Sequence, residues 1–218
     1  MTRVSSQELL LPDFRRLVVA AIDGFNARFC NRGVQVVLFE TLRTAENQKA
    51  GFDKGRSKID GVSRFSRHQF GAFGLAATVA ADLVVSVEGV GLTWDSKYIP
   101  YYNALGRIVN SLGLQSGIDW NMNGVLVQDD PSESFYDGPH MQVPSNEFRK
   151  IAQRMLAYMD LYSSGIDGSI GPGTAAAMQA FRRDAGILVP DWRASKLDPD
   201  TWNALVRTTP ESTRRMYP

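Results

Sequence analysis

The chain has 218 residues, 44% of them hydrophobic, with 24 basic and 23 acidic side chains and a formal net charge of +1. This is the composition of a folded globular protein, and the charge balance argues against a nucleic-acid polyanion as the main partner. No stretch approaches the roughly 20 apolar residues of a membrane helix, so membrane insertion is not expected. A single cysteine, Cys30, excludes an intramolecular disulfide and a cysteine zinc cage.

The apolar run Leu17 to Ile22 follows Asp13, Arg15 and Arg16 and is too short for a secretory segment. Synthesis in the cytoplasm without a signal peptide is therefore expected. Phe14 to Phe29 spaces Leu17, Val18, Ala21, Phe25 and Phe29 at helical intervals, which predicts an amphipathic helix. Asn31-Arg32-Gly33 ends it, and Val34 to Phe39 reads as a buried strand. Thr44 is placed to cap a short helix over Ala45 to Asp53, ended by Gly55. A polar loop follows from Arg56 to Arg67. Leu83 to Val87 reads as a second strand, with Asp82 at its mouth, and Tyr101 to Leu112 as a helix stopped by Gly113. A loop rich in Asn, Asp, Ser and Gly runs from Gly117 to Asp137 and holds one short strand candidate, Val125 to Val127.

After Val143 the pattern changes. Pro144-Ser145-Asn146 reads as a short linker and helix cap, and Phe148 to Tyr162 as a helix with Ile151, Met155, Leu156 and Met159 on one side. Pro172-Gly-Thr174 with Ala177 and Met178, and Pro199-Asp-Thr201 with Ala204 and Leu205, repeat each other. They point to a small duplicated helical unit. The expected fold class is α+β: a small antiparallel sheet with flanking helices, followed by a small helical domain. The domains are expected at 1–143 and 147–210.

His68 and His140 are the only histidines. A zinc site with an open position takes three ligands from His, Asp and Glu, and two histidines with one carboxylate would complete that set. Asp82 is the candidate acid, because a carboxylate in an apolar setting should be paired or metal-bound.

These residues sit in motifs that resemble a known family. Ser66, His68 and Gly71 match the first half of Ser-x-His-x-x-Gly-x-Ala-x-Asp, and Asp137 and His140 match Asp-x-x-His. Leu42-Arg43-Thr44 followed by Gln48 fits an upstream arginine motif. The segment from Gly113 to Trp120 resembles Gly-Leu-x-Trp-Gly-Gly-x-Trp, with Ser116 and Ile118 departing from it. The motifs resemble those of the zinc peptidases that include D-alanyl-D-alanine carboxypeptidases and the L-alanyl-D-glutamate endopeptidases of phage endolysins. The resemblance implies zinc held by His68, Asp82 and His140, with Asp137 as general base and Arg43 as the charge facing the carbonyl oxygen or a substrate carboxylate. Gln48, Ser66 and Trp120 are implied along the substrate cleft. Ser66 is expected as a structural hydroxyl rather than a nucleophile, since no histidine remains to activate it.

One departure concerns Asp82, which lies 14 positions after His68 where the family has seven. A seven-residue insertion, Phe73 to Val79, accounts for the difference. It bulges out or extends the approach to the strand, or it misplaces the carboxylate and leaves Glu88 or Asp95 as substitutes.

Asp167-Gly168-Ser-Ile-Gly171-Pro172-Gly-Thr174, then Ala177, Met178 and Phe181, resembles the peptidoglycan-binding type 1 domain. Asp198, Thr201, Trp202 and Leu205 fit its second half, and the match runs over about residues 147 to 207. It implies a small three-helix domain there, after a sheet domain that holds the zinc site. Phe181 and Trp202 are expected in its core. Together the two resemblances imply a monomeric peptidoglycan hydrolase whose partner is the bacterial wall, acting there after release from the cytoplasm. The implied bond is L-alanyl-D-glutamate in the stem peptide. The alternatives are a D,D-carboxypeptidase and an inactive wall-binding protein. No carboxylate pair carries a glycosidase motif.

Overall fold

A computed structural model describes residues 3–216. Its architecture is α+β, with six α-helices around one small antiparallel sheet. Helix α1 (Pro12–Phe29) starts on a proline, whose missing N–H costs nothing at a helix N-terminus. It buries Phe14, Val18, Ala21, Phe25 and Phe29 along one stripe. Gly33 adopts a left-handed conformation (φ 69°) and turns the chain into β1 (Val34–Glu40). Helix α2 (Ala45–Asp53) is capped by the Thr44 hydroxyl, which accepts the Asn47 N–H.

The sheet order is β1-β2-β5-β4, where β2 is Ala80–Val87, β4 Gln115–Ser116 and β5 His140–Gln142. The short β3 (Gly91–Leu92) pairs with the far end of β2. Strand β2 begins three residues earlier than its apolar pattern predicts, so Asp82 lies inside the strand rather than at its mouth. Small residues Ala80 and Ala81 pair with Gln142 and Met141, which extends the ladder. Helix α3 (Ile99–Ser111) packs across α1. Val125 to Val127 does not form the expected strand; it is irregular backbone entering a turn at Val127, within the loop that follows β4.

The stretch Phe73 to Val79 begins as an exposed tight turn at Phe73 and Gly74 and then docks before β2. Ala77 and Thr78 donate their N–H groups to the Leu9 carbonyl (2.9 and 2.8 Å), and Leu11 N–H donates to the Thr78 carbonyl (2.9 Å). The extra residues thus dock on the N-terminal segment, and their backbone groups are satisfied there.

Helix α4 (Ser145–Tyr158) follows β5 after only Val143 and Pro144. It starts three residues before the expected Phe148 and ends four before Tyr162. Helices α5 (Pro172–Asp184) and α6 (Pro199–Thr208) both open on the repeated Pro-x-Thr. The two threonines are buried, each bonded to the turn before its helix: Thr174 to the Ser169 carbonyl and Thr201 to the Asp198 carboxylate. Phe148 of α4 and Trp202 of α6 pack at 4.5 Å between ring centroids, and both meet Phe70 beside the His68 turn. One continuous apolar core therefore runs from α1 through the sheet to α6. Phe181 and Trp202 are buried in it as expected, while Trp192 is exposed.

Candidate active site

His68 stands on a single helical turn (Arg67–Gln69) that Ser66 caps reciprocally with Gln69. The Ser66 hydroxyl is thus engaged with the turn, as expected of a structural group. Asp82 and His140 are directly opposite each other across β2 and β5, and a bulge between Leu38 and Glu40 sets Glu40 of β1 opposite Asp82 on the other side. Sheet register therefore lines up Glu40, Asp82 and His140 on three adjacent strands, and the His68 turn brings the second imidazole to this row.

The facing atoms converge tightly. His68 Nε2 lies 3.1 Å from Asp82 Oδ1 and 3.3 Å from His140 Nδ1, and His140 Nδ1 lies 3.2 Å from Asp82 Oδ1. The other ring nitrogens face outward to acceptors: His68 Nδ1 to the Thr41 carbonyl (2.9 Å) and His140 Nε2 to Gln142 Oε1 (3.1 Å). Neutral imidazoles that give their one proton to these partners leave three lone-pair atoms facing one another. That donor set, two nitrogens and a carboxylate oxygen in a largely buried pocket, fits a zinc ion with a position left open. Glu88 and Asp95 lie elsewhere: Glu88 packs against Gly33, and Asp95 caps the turn Ser96–Tyr98.

Electrostatics follow from this crowding. Burial opposes ionisation of Asp82, yet with protons on their facing nitrogens instead, the two imidazoles hold its carboxyl well below the usual range by charge and hydrogen bond. Burial likewise opposes the charged form of His140, and the bond and charge of Asp82 outweigh it, so its pKa is raised. Asp137 moves upward, first through burial and then through repulsion from Asp82, with the imidazoles and Arg43 opposing.

Asp137 lines the cleft beside the cluster. Its position is set by Gly117, whose carbonyl accepts the Asp137 N–H (2.8 Å) and whose N–H donates to the His140 carbonyl (2.9 Å). A side chain at Gly117 would overlap the Asp137 carbonyl oxygen.

Arg43 reaches the cluster from the end of β1. It donates to Asp82 Oδ2 (3.3 Å), to Glu40 and to Gln48 Oε1 (3.0 Å). Gln48 is expected at the substrate, but it is fully buried and absent from the cleft wall. It donates to the Ser57 hydroxyl and the Ile59 carbonyl, and so orients Arg43 instead. Glu40 belongs to this arrangement too, and periodicity alone marks it only as the last residue of a strand. Trp120 lies 5.2 Å from the His140 ring and donates its indole N–H to the Phe135 carbonyl (2.6 Å), forming part of the wall.

The loop after β4 is tied together from within. Asp119 accepts the N–H groups of Asn123 and Gly124, and Asp130 accepts the side-chain amides of Asn121 and Asn123. Their order, Asp-x-Asn-x-Asn-Gly-x5-Asp, is that of twelve-residue calcium loops, with Asp in place of the closing Glu. Composition alone classes the stretch as a polar loop.

The cluster opens into a cleft of about 950 Å³. One wall is aromatic, with Phe39, Trp94, Trp120, Phe135 and Tyr136; the other is formed by residues 56–67 and by Lys196 and Leu197.

Residues 145–205 match the family described as "Putative peptidoglycan binding domain". The chain is similar to the Peptidoglycan L-alanyl-D-glutamate endopeptidase CwlK of Bacillus subtilis (strain 168), 24% identical over 152 residues. That alignment covers 64% of this chain and 80% of the relative. Among solved structures it is similar to the crystal structure of Serratia marcescens L-Ala D-Glu endopeptidase ChiX, at 22% identity and a TM-score of 0.38. The match covers 65% of this chain and 89% of that one. Among the described residues, no helix is long and apolar enough to cross a membrane.

Proposed function

We propose that the chain is a zinc-dependent peptidoglycan endopeptidase of the kind phages use for lysis, cutting the stem peptide at the L-alanyl-D-glutamate bond. Residues 1–143 carry the chemistry and residues 147–210 hold the wall. The observation that carries the reading is the convergence of His68, Asp82 and His140 at 3.1–3.3 Å, with Asp137 and Arg43 beside them. The similarity to CwlK and the peptidoglycan-binding match over residues 145–205 support the same substrate from separate parts of the chain.

Zinc, held by His68, Asp82 and His140, would supply Lewis acidity toward the scissile carbonyl and the attacking water. Asp137 accepts that water's proton and delivers it to the leaving amine nitrogen. Its raised pKa suits a group that must both take and release a proton, and the Gly117 contacts fix its distance from His140. Arg43 places a fixed positive charge where the carbonyl oxygen becomes anionic, and Gln48 and Glu40 hold the guanidinium in orientation. Trp120 seats the peptide against the aromatic wall.

Mass spectrometry of purified peptidoglycan after digestion, with and without chelator, tests the reading. New L-alanine carboxyl ends and D-glutamate amino ends that vanish on chelation are expected. Release of D-alanine would replace it with a D,D-carboxypeptidase. Wall binding without any new ends would make the chain an inactive binder.

A further inference from the structure

The chain as a whole is nearly neutral, but its cleft is not. Besides Arg43, the lining carries Arg56, Lys58, Arg64, Arg67 and Lys196, while its only acids are Asp82 and Asp137. Arg43 and Asp82 are already engaged with Glu40 and the imidazoles. Among the described residues, none of the five remaining cations lies within ion-pair distance of a carboxylate. Asp60, in the same loop, accepts the N–H groups of Val62, Ser63 and Arg64 and does not line the cleft. Its single carboxylate offsets at most one of these charges, so the wall keeps an excess of cations.

Arg67 is used structurally, stacked on Phe148 at 3.9 Å and bonded to the Ser145 hydroxyl. Arg56, Lys58, Arg64 and Lys196 remain, all exposed. They come from two distant parts of the chain that are fastened together. Arg193 donates to the Val62 carbonyl (3.2 Å) and lies over the Phe65 ring, and the Lys196 ammonium lies 3.5 Å from the Ser63 carbonyl. Buried Arg182 fixes the segment that carries Lys196 by donating to the carbonyls of Ala194 and Lys196 and to Asp198. The wall is thus composite and held in place.

A cleft lined by one sign of charge attracts ligands of the other sign, and guanidinium forks pair with carboxylates. We infer that Arg56, Lys58, Arg64 and Lys196 form a subsite for a free carboxylate of the substrate, remote from the scissile bond. Through Lys196, the C-terminal segment takes part in substrate selection as well as in wall binding. A carboxylate-bearing peptide is favoured over a phosphodiester polymer because the cations share one cleft with the metal-site cluster, rather than forming an extended surface stripe. The inference rests on the proposed peptidase activity.

The test compares two synthetic peptides, L-Ala-γ-D-Glu-diaminopimelate with every carboxylate free and the same peptide with the diaminopimelate carboxylates amidated. With the full zinc-loaded protein, kcat/KM for the acidic peptide should exceed that for the amide by about tenfold or more, carried mainly by KM. The ratio should shrink at about 1 M salt, where the screening length is about 3 Å. Lys196→Gln, and separately Lys58→Gln with Arg64→Gln, should move the ratio toward one, and Lys196→Glu should move it further. Cleavage of both peptides with no preference, or with the same preference in every variant, overturns the subsite and leaves the peptidase reading standing. Cleavage of neither peptide overturns both. Absence of a carboxylate preference, together with inhibition by poly(glycerol phosphate) that Lys196→Gln relieves, would reassign the wall to phosphodiesters and overturn the inference.

Discussion

Trp202 donates its indole N–H to the carbonyl of Ala77 across 3.0 Å, joining α6 to the segment that separates His68 from Asp82. The indole is fully buried against Phe148 and Phe70, and Phe70 closes the turn that carries His68. The parts before and after Pro144 therefore share side chains, not only a tether.

Trp202→Ala is expected to cost about 3–5 kcal/mol, because a large buried side chain leaves a cavity that its neighbours cannot fill. Trp202→Phe keeps most of the volume and orphans the Ala77 carbonyl, at about 1–3 kcal/mol. Denaturant unfolding followed by both far-ultraviolet circular dichroism and fluorescence should show one transition, shifted to lower midpoint. Two separate transitions would show that the parts unfold independently.

Because every proposed catalytic group precedes Pro144, sequence alone suggests that a chain ending there keeps its fold and the proposed activity on small peptides. The shared core leads to a different expectation. Loss of Phe148 and Trp202 bares Phe70 and the Ala77 carbonyl, so the shortened chain should melt well below the full one. Equal melting temperatures would restore the view of two autonomous domains.

Metal content provides the next check. His68→Ala, Asp82→Asn and His140→Ala should each lose stoichiometric zinc by elemental analysis of dialysed protein. Chelation of the parent should lower its melting temperature, since a ligand that binds only the folded state stabilises it. Full zinc occupancy in Asp82→Asn would place the third ligand elsewhere.

Asp137→Asn should retain zinc and lose about 10²–10⁴ in kcat, the contribution of a positioned acid–base group. Gly117→Ala should lose activity as well, since its methyl group would displace the Asp137 carbonyl and with it the turn to His140. Near-parental turnover by Asp137→Asn would transfer the proton to another group.

Arg182 and Asp198 form a buried ion pair at 2.7 Å, with the guanidinium also holding Thr201 and the carbonyls of Ala194 and Lys196. Arg182→Met leaves the Asp198 charge buried and unpaired, at about 3–5 kcal/mol by analogy with other broken buried pairs. Thermal unfolding of the variant measures it, and a shift of only a degree or two would show that solvent reaches Asp198.

Much of this was legible in the residue order. Helix α1 announces itself through its apolar stripe, α2 through Thr44, and the duplicated helices through Pro-x-Thr. The cluster members are singled out by scarcity, because two histidines leave little choice. What is not legible depends on partners distant in sequence. Nothing local says that Gln48 faces Arg43 rather than the cleft, that Glu40 joins it, or that β2 starts at Ala80. Val125 to Val127 has strand-like residues but no free ladder to join, and the hydrogen bonds of Asp119 and Asp130 commit its loop to turns. Lys196 sits in a segment with no signature at all, and only the Arg193 and Arg182 contacts bring it to the cleft.

The side-by-side placement of Glu40, Asp82 and His140 has a consequence for counting residues between ligands. Side chains alternate faces along a strand, so a one-residue slip of β2 would turn Asp82 away from both imidazoles. The stretch from Phe73 to Val79 lies before the ladder begins, and its length is absorbed against Leu9 and Leu11 without altering that phase. Distance in sequence between His68 and the acid is therefore an elastic quantity, whereas the parity of β2 against β5 is rigid. A pattern search that fixes the gap overlooks chains of this design; one that asks for an acid opposite the second histidine on a neighbouring strand finds them.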